Sequence, residues 1–190
     1  MVAGTAISAR AAEWQLDKSH TDVGFKVKHL AISNVKGTFT DVEGSLDFDK
    51  DNPTKGSVKV TVNLASVNTN EKKRDDHLRS EDFFNVEKYP TMTFVSSEVK
   101  KAGKGKLAVT GDLTLHGVTK KVTFDVEGPT QQITDPWGNY RRGFSATAKI
   151  DRRDFGLTWS KTLETGGLVV GNDVWITIEA EFLRPVKADA

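Results

Sequence analysis

The sequence predicts an all-β antiparallel fold of about eight strands, closed as a barrel or packed as a sandwich, with one short helical insert. Three observations carry this. Apolar and polar residues alternate with period two over most of the chain, as where Val58, Val60, Val62 and Leu64 alternate with Lys59, Thr61 and Asn63. Short runs rich in Gly, Asn, Asp and Pro punctuate the alternation. One stretch, Asn68 to Pro90, abandons it altogether.

In chain order, Glu13 to Asp17 reads as a first short strand. Val23 to Leu30 follows, with Val23, Phe25, Val27 and His29 on one face and Lys26 and Lys28 on the other. Gly37 to Phe48 is long, and its apolar phase slips near Thr40-Asp41, which predicts a bulge or bend. Asp49 to Gly56 is a surface turn, and Val58 to Leu64 the next strand. After the insert, Thr91 to Lys100 carries Met92 and Phe94 on one face, and Lys101 to Lys106 is expected as a hairpin loop. Leu107, Val109, Leu113 and Leu115 line the next strand, with Gly111 in phase as a bend or a point of close approach. His116-Gly117 turns into Val122, Phe124 and Val126, and Asp135 to Asn139 is another turn. Phe144, Ala146, Ala148 and Ile150 precede Arg152 to Gly156. Thr165-Gly166-Gly167 and Gly171-Asn172-Asp173 then bracket a short apolar piece before Val174, Ile176, Ile178 and Phe182.

At 190 residues the chain fits one domain and is long enough to bury a core. Lys+Arg 27 against Asp+Glu 26 gives a net charge of +1, which offers no electrostatic case for nucleic acid. With Cys 0, the fold uses neither disulfides nor thiolate metal sites. Residues 1–11 are small and apolar, and Ala9-Arg10-Ala11 resembles the end of a secretory signal cleaved before Ala12. They lack a basic leader, so they are read as a signal-peptide remnant, with the domain at 12–185 and a tail at 186–190. No apolar run approaches the length of a membrane span.

The insert opens on Asn68 with Glu71 three residues later, a helix N-terminal spacing. Lys72 with Asp76, and Asp75 with Arg79, sit at i,i+4. Leu78 is the only large apolar residue of its first half, and Phe83, Phe84 and Val86 follow together. The reading is a polar helix followed by an aromatic plug. Asp75, Asp76 and His77 are the candidate acid–base groups, but on an exposed helix they serve more commonly as ion pairs. Arg74 and Arg152 suit structural tethering through the planar guanidinium. His20, His29, His77 and His116 show no metal-ligand spacing, so no metal is assigned. Neither a cysteine nor a G-x-S-x-G nucleophile motif is present, and no catalytic residue is assigned. Trp137, Trp159 and Trp175 are pocket candidates or packing residues.

Six stretches then converge: DKSHTDVGFKVKHL (Asp17 to Leu30), RDDHL (Arg74 to Leu78), SEDFFNVEKYPTMTF (Ser80 to Phe94), GDLTLHGVTKKV (Gly111 to Val122), RGF (Arg142 to Phe144) and IDRRDFG (Ile150 to Gly156). Together they resemble the YceI-like family of polyisoprenoid-binding, lipocalin-like bacterial proteins, over nearly the whole chain from Glu13 to Phe182. Thr21 stands where many members carry serine. The resemblance implies an extended eight-stranded antiparallel lipocalin-like barrel with the helix in its long connection, usually exported to the periplasm. It implies an apolar lumen holding a polyprenyl chain, the tail of an isoprenoid quinone or a fatty amide. Some members are dimeric, and the family has no established catalytic motif.

The function expected is non-catalytic binding, transport or sequestration of a long-chain lipid, with no other cofactor. Transient membrane contact and a homodimer are compatible with it. Strand phase nominates Phe25, Val27, Phe39, Phe94, Leu113, Leu115, Phe124 and Phe144 as the lining, with Phe83 and Phe84 as a plug. The rival readings are a lipid-modifying enzyme using Asp75, Asp76 or His77, and a stress-related interaction module whose lipid is incidental.

Overall fold

The computed structural model describes residues 13–48, 52–161 and 168–186. The proposed signal remnant at 1–11 and the turn at Thr165 to Gly167 lie outside them, as does all but Val186 of the proposed tail. Among the described residues twelve strands form one sheet: β1 (Trp14–Leu16), β2 (Asp22–His29), β3 (Ser33–Phe39), β4 (Val42–Asp47), β5 (Ser57–Asn63), β6 (Val67–Asn68), β7 (Thr91–Gly103), β8 (Lys106–Leu115), β9 (Val118–Glu127), β10 (Ile133–Thr134), β11 (Asn139–Asp151) and β12 (Val170–Pro185). The ring β1–β4–β5–β7–β8–β9–β11–β12 closes on itself, so the fold is an eight-stranded antiparallel barrel. Closure removes the exposed sheet edges that an open sheet would present. β2, β3 and β6 continue the paths of β1, β4 and β5 upward, extending one side of the wall beyond the ring.

The three breaks in those paths lie side by side. Lys18–His20 interrupts the first path, Thr40-Asp41 the second, and Leu64–Ser66 the third. Hydrogen bonds stitch them together. Asn63 donates through its backbone N–H and its Nδ2 to Asp41, the Thr40 N–H reaches the Ser66 carbonyl, and Lys18 bridges Asp41 and Glu43. The phase slip predicted at Thr40-Asp41 is thus one part of a bend that crosses three strands.

Alternation explains the core: in β8 every second residue is buried, and Leu107, Val109, Leu113 and Leu115 point inward. Gly111 occupies the same inward phase because the Phe94 ring covers it, and a Cβ there would come within 2.6 Å of that ring. Two expectations are corrected. The Lys101 to Lys106 loop is a tight turn at Lys104-Gly105, since the register pairs Lys101 with Leu107 and Gly103 with Lys106. Gly171 to Asp173, expected as a boundary before the last strand, lies inside β12, where a register shift absorbs the irregularity.

The weak joint of the barrel is β9 with β11, which pair only at Ser145–Glu127, Ala146–Val126 and Thr147–Asp125. Above it the turn Arg152–Phe155 closes the gap, burying Phe155 and Leu157. Arg152 is buried too, and its guanidinium donates to the carbonyls of Gly171, Leu157, Trp159 and Val170. Its five fixed donors satisfy carbonyls left without ladder partners where strand pairing stops.

Candidate functional site

The insert builds the upper end of the lumen. α1 (Lys72–Arg79) is capped by Glu71, whose carboxylate accepts from the Lys73 and Arg74 N–H groups. Asn68, the expected N-terminal residue, pairs with Thr38 in β6 and its side chain instead accepts from the Asn70 N–H. Lys72 and Asp76 form the predicted i,i+4 pair at 2.7 Å. Asp75 does not pair with Arg79: it is buried and accepts from the Thr69 N–H and hydroxyl. Arg74 donates to the Thr69 hydroxyl and carbonyl, and Arg79 to the carbonyls of Ala65 and Val67. The tethering role expected of Arg74 and Arg152 is what both perform.

Two apolar cavities lie end to end inside the barrel. The lower, of about 150 Å³, is lined by residues that include Leu16, Leu46, Phe48, Val60, Phe94, Leu113, Phe124, Phe144, Ala146 and Phe182. The upper, of about 270 Å³, is lined by Phe25, Val27, Val35, Phe39, Leu78, Phe83, Phe84, Leu115, Leu157 and Trp159 among others. Val23, Met92 and Ile176 line both and form the waist between them. Val23 follows the break in the first strand path, so the waist sits beside the bend.

The eight predicted lining residues and the two plug residues, Phe83 and Phe84, all border this space. Phe25, Val27, Phe39, Phe83, Phe84 and Leu115 line the upper chamber, and Phe94, Leu113, Phe124 and Phe144 the lower. Phe84 stacks on Phe39 at 5.8 Å, and Phe39 on Phe25 at 5.6 Å. Phe83 packs instead with Trp159 and the edge of His77, at 5.1 and 5.0 Å. Sequence reasoning missed the waist residues and the lower floor of Leu46, Phe48 and Phe182. Trp137 is 79 % exposed at a turn, and Trp175 lies on the outer wall beside Lys26. Neither lines a chamber.

Polarity is asymmetric. Thr21 and Ser57 supply the lower chamber's polar side chains, whereas Arg74, His77, Arg152, His29 and Lys28 border the upper one. The candidate acid–base trio does not converge. Asp75 faces Thr69, Asp76 holds Lys72 and Arg79, and His77 Nε2 meets Asp82 at 2.8 Å. Outside the lumen, Asp17, His20 and Glu181 cluster within metal-ligand reach, but a cation is already there: Arg141 bonds both Asp17 and Glu181, and also Asp135. Burial alone would raise Asp135; the bonds from Arg141, Asn139 and Trp137 outweigh it and hold the carboxyl at about 2.

A closed eight-stranded barrel with an apolar, two-chamber lumen and a helical cover defines a lipocalin-like barrel wide enough for one small ligand. The model of the YceI-like domain matches residues 14–182, and the chain belongs to that family. The UPF0312 protein of Photorhabdus laumondii is 50% identical over 152 residues, covering 79% of this chain and 78% of its own. The solved YceI protein of Campylobacter jejuni is 40% identical, with a TM-score of 0.70 over 93% of this chain and 100% of its own. A polyisoprenoid binding domain from Saccharophagus degradans, implicated in plant cell wall breakdown, shares the fold at a TM-score of 0.64 and 17% identity, over 90% of this chain and 98% of its own.

Proposed function

We propose that this protein binds a long-chain isoprenoid or related amphiphilic lipid in the lumen and carries or sequesters it without chemical change. The observation that carries the reading is the pair of apolar chambers meeting at Val23, Met92 and Ile176, which together suit an extended chain. The family, and the polyisoprenoid-binding character of the S. degradans domain, support a binding protein rather than an enzyme. Each buried CH₂ contributes about 0.8 kcal/mol, part of which is offset by ordering the chain. Affinity then follows chamber length and lining, with the apolar tail below the waist and the polar head toward Arg74 and His77. A polyprenyl chain, an isoprenoid quinone and a fatty amide all meet that description. Export to the periplasm belongs to the same reading, supported by Ala9-Arg10-Ala11.

Native mass spectrometry of gently purified protein, followed by solvent extraction, tests it. A co-purifying long-chain amphiphile is expected, and an empty protein would sink the carrier. Turnover of that lipid, abolished by His77→Ala with the lipid retained, would favour the enzyme instead.

A further inference from the structure

The β2–β3 hairpin forms the upper rim of the lumen, and its outer face has a peculiar charge pattern. Residues 23–38 contain Lys26, Lys28 and Lys36 and no carboxylate. Lys26 and Lys36 are direct cross-strand partners, an arrangement that destabilises a sheet when both are charged. The row continues across β12 to Trp175, which pairs with Lys26 and has its ammonium 5.5 Å from the ring centroid. At the tip, Leu30 and Ala31 adopt left-handed backbone (φ 53 and 60°) that favours glycine or asparagine, and Ile32 stands 81 % exposed. Strained non-glycine residues, an exposed isoleucine and facing lysines all weaken the isolated fold.

A single occupant relieves the last two, covering the isoleucine and neutralising the lysines, while the left-handed turn holds the tip out to meet it. We propose that this hairpin docks the protein on an anionic lipid bilayer, with Ile32 entering the acyl boundary and the lysine row resting on phosphate-bearing headgroups. Geometry supports the division. Lys36 is four residues from Ile32. At ~3.3 Å per residue and a strand tilt of about 40°, it stands about 10 Å above the tip. That matches the depth to which interfacial apolar groups enter a bilayer, about 5–10 Å. Tryptophan beside lysine suits the headgroup level. Val27, His29 and Val35 of the same hairpin line the upper chamber, so docking brings the wider chamber to the membrane. The inference deepens the lipid-carrier reading and gives the carrier its donor or acceptor surface.

The test is co-sedimentation of the full protein with phosphatidylcholine vesicles, with and without phosphatidylglycerol. Binding to the anionic vesicles that weakens with added salt is expected. Ile32→Asp should lower it about tenfold or more, and Lys26→Gln or Lys36→Gln about fivefold each. The lysine variants carry a second signature: thermal stability should hold or rise while vesicle binding falls, because the facing-charge repulsion is gone. No binding to anionic vesicles, or binding untouched by Ile32→Asp, overturns the proposal. So does a dimer in light scattering that Ile32→Asp dissolves, since the tip would then be covered by a second copy. Native mass spectrometry of the same samples separates the two ideas. Lipid present without vesicle binding defeats docking alone, and vesicle binding by a lipid-free protein defeats the carrier alone.

Discussion

Filling the lower chamber isolates its contribution. Ala146 sits on β11 between Ile178 and Val126, with its methyl at the wall of the 150 Å³ cavity. An apolar cavity of about that size accommodates benzene, so the phenyl ring of Ala146→Phe is matched to it. At ~24 cal/mol per Å³, removing the void is worth about 3–4 kcal/mol to the ligand-free protein. Imperfect fit takes back about 1–3 kcal/mol. The net is about 1 kcal/mol of stabilisation, or ~2–4 °C in Tm for a protein of this size. The ligand should respond in the opposite direction, because its tail loses the space below Met92 and must be shorter or absent. Thermal unfolding of ligand-free protein and native mass spectrometry of the purified protein give the two readouts. A Tm lowered by several degrees with an unchanged set of lipid masses would show that the lower chamber is packed core and no part of the site.

Three further outcomes follow from the same geometry. Replacing Phe83 and Phe84 together with alanine removes the cover over Phe39 and Trp159, and lipid exchange followed with a fluorescent chain should quicken; unchanged exchange in a folded variant reduces the segment to packing. Arg152→Ala leaves four carbonyls without their donor and should cost about 3–5 kcal/mol in urea unfolding, and Arg152→Lys should recover little of it because an ammonium lacks the planar fork. Asp17 and Asp135 are held below the ordinary carboxylate range, Asp135 at about 2, because bonds that include those from Arg141 outweigh burial. Depressed pKa values give stability that is present above about pH 4 and lost as pH falls toward 2, and Arg141→Gln should flatten that slope; parallel slopes in denaturation curves would refute the linkage.

The strands were legible because a buried face imposes period two, and β8 displays it without interruption from Leu107 to Leu115. The bend at Thr40-Asp41 left a mark in the same way, as a slipped phase. What stayed hidden depends on contacts distant in sequence. Asn68 is a favoured capping residue and glutamate is not, yet the cap falls to Glu71 because β6 engages Asn68 against Thr38. Asp75 reads as one more helix-surface charge, yet it is buried beneath Thr69, since the helix turns that face toward the strand ends. The eight lining residues followed from strand phase and the Phe83-Phe84 plug from the insert, but the division into two chambers did not. It arises from three chain breaks becoming neighbours, which no local window contains. Trp159 and Trp137 look alike in sequence, and only the closing turn after Arg152 brings Trp159 to the lumen.

An eight-stranded barrel of ordinary composition fills itself with side chains, so open volume here requires a cause. At ~24 cal/mol per Å³, the upper chamber of about 270 Å³ alone corresponds to about 6 kcal/mol of forgone packing. That is comparable to the whole net stability of many domains, ~5–15 kcal/mol. The sequence maintains the space actively. Inward positions on β11 carry Ala146 and Ala148, and the backbone above is tied by Arg74, Arg79 and Arg152, whose donors go to carbonyls, the Thr69 hydroxyl and Asp76. Guanidinium groups bound in this way close the end of a barrel without filling its interior. A bound chain would restore the missing contacts, so on the proposed function ligand-free protein should be the less stable form, and the insert that looked like a charged interruption is the frame over the open lumen.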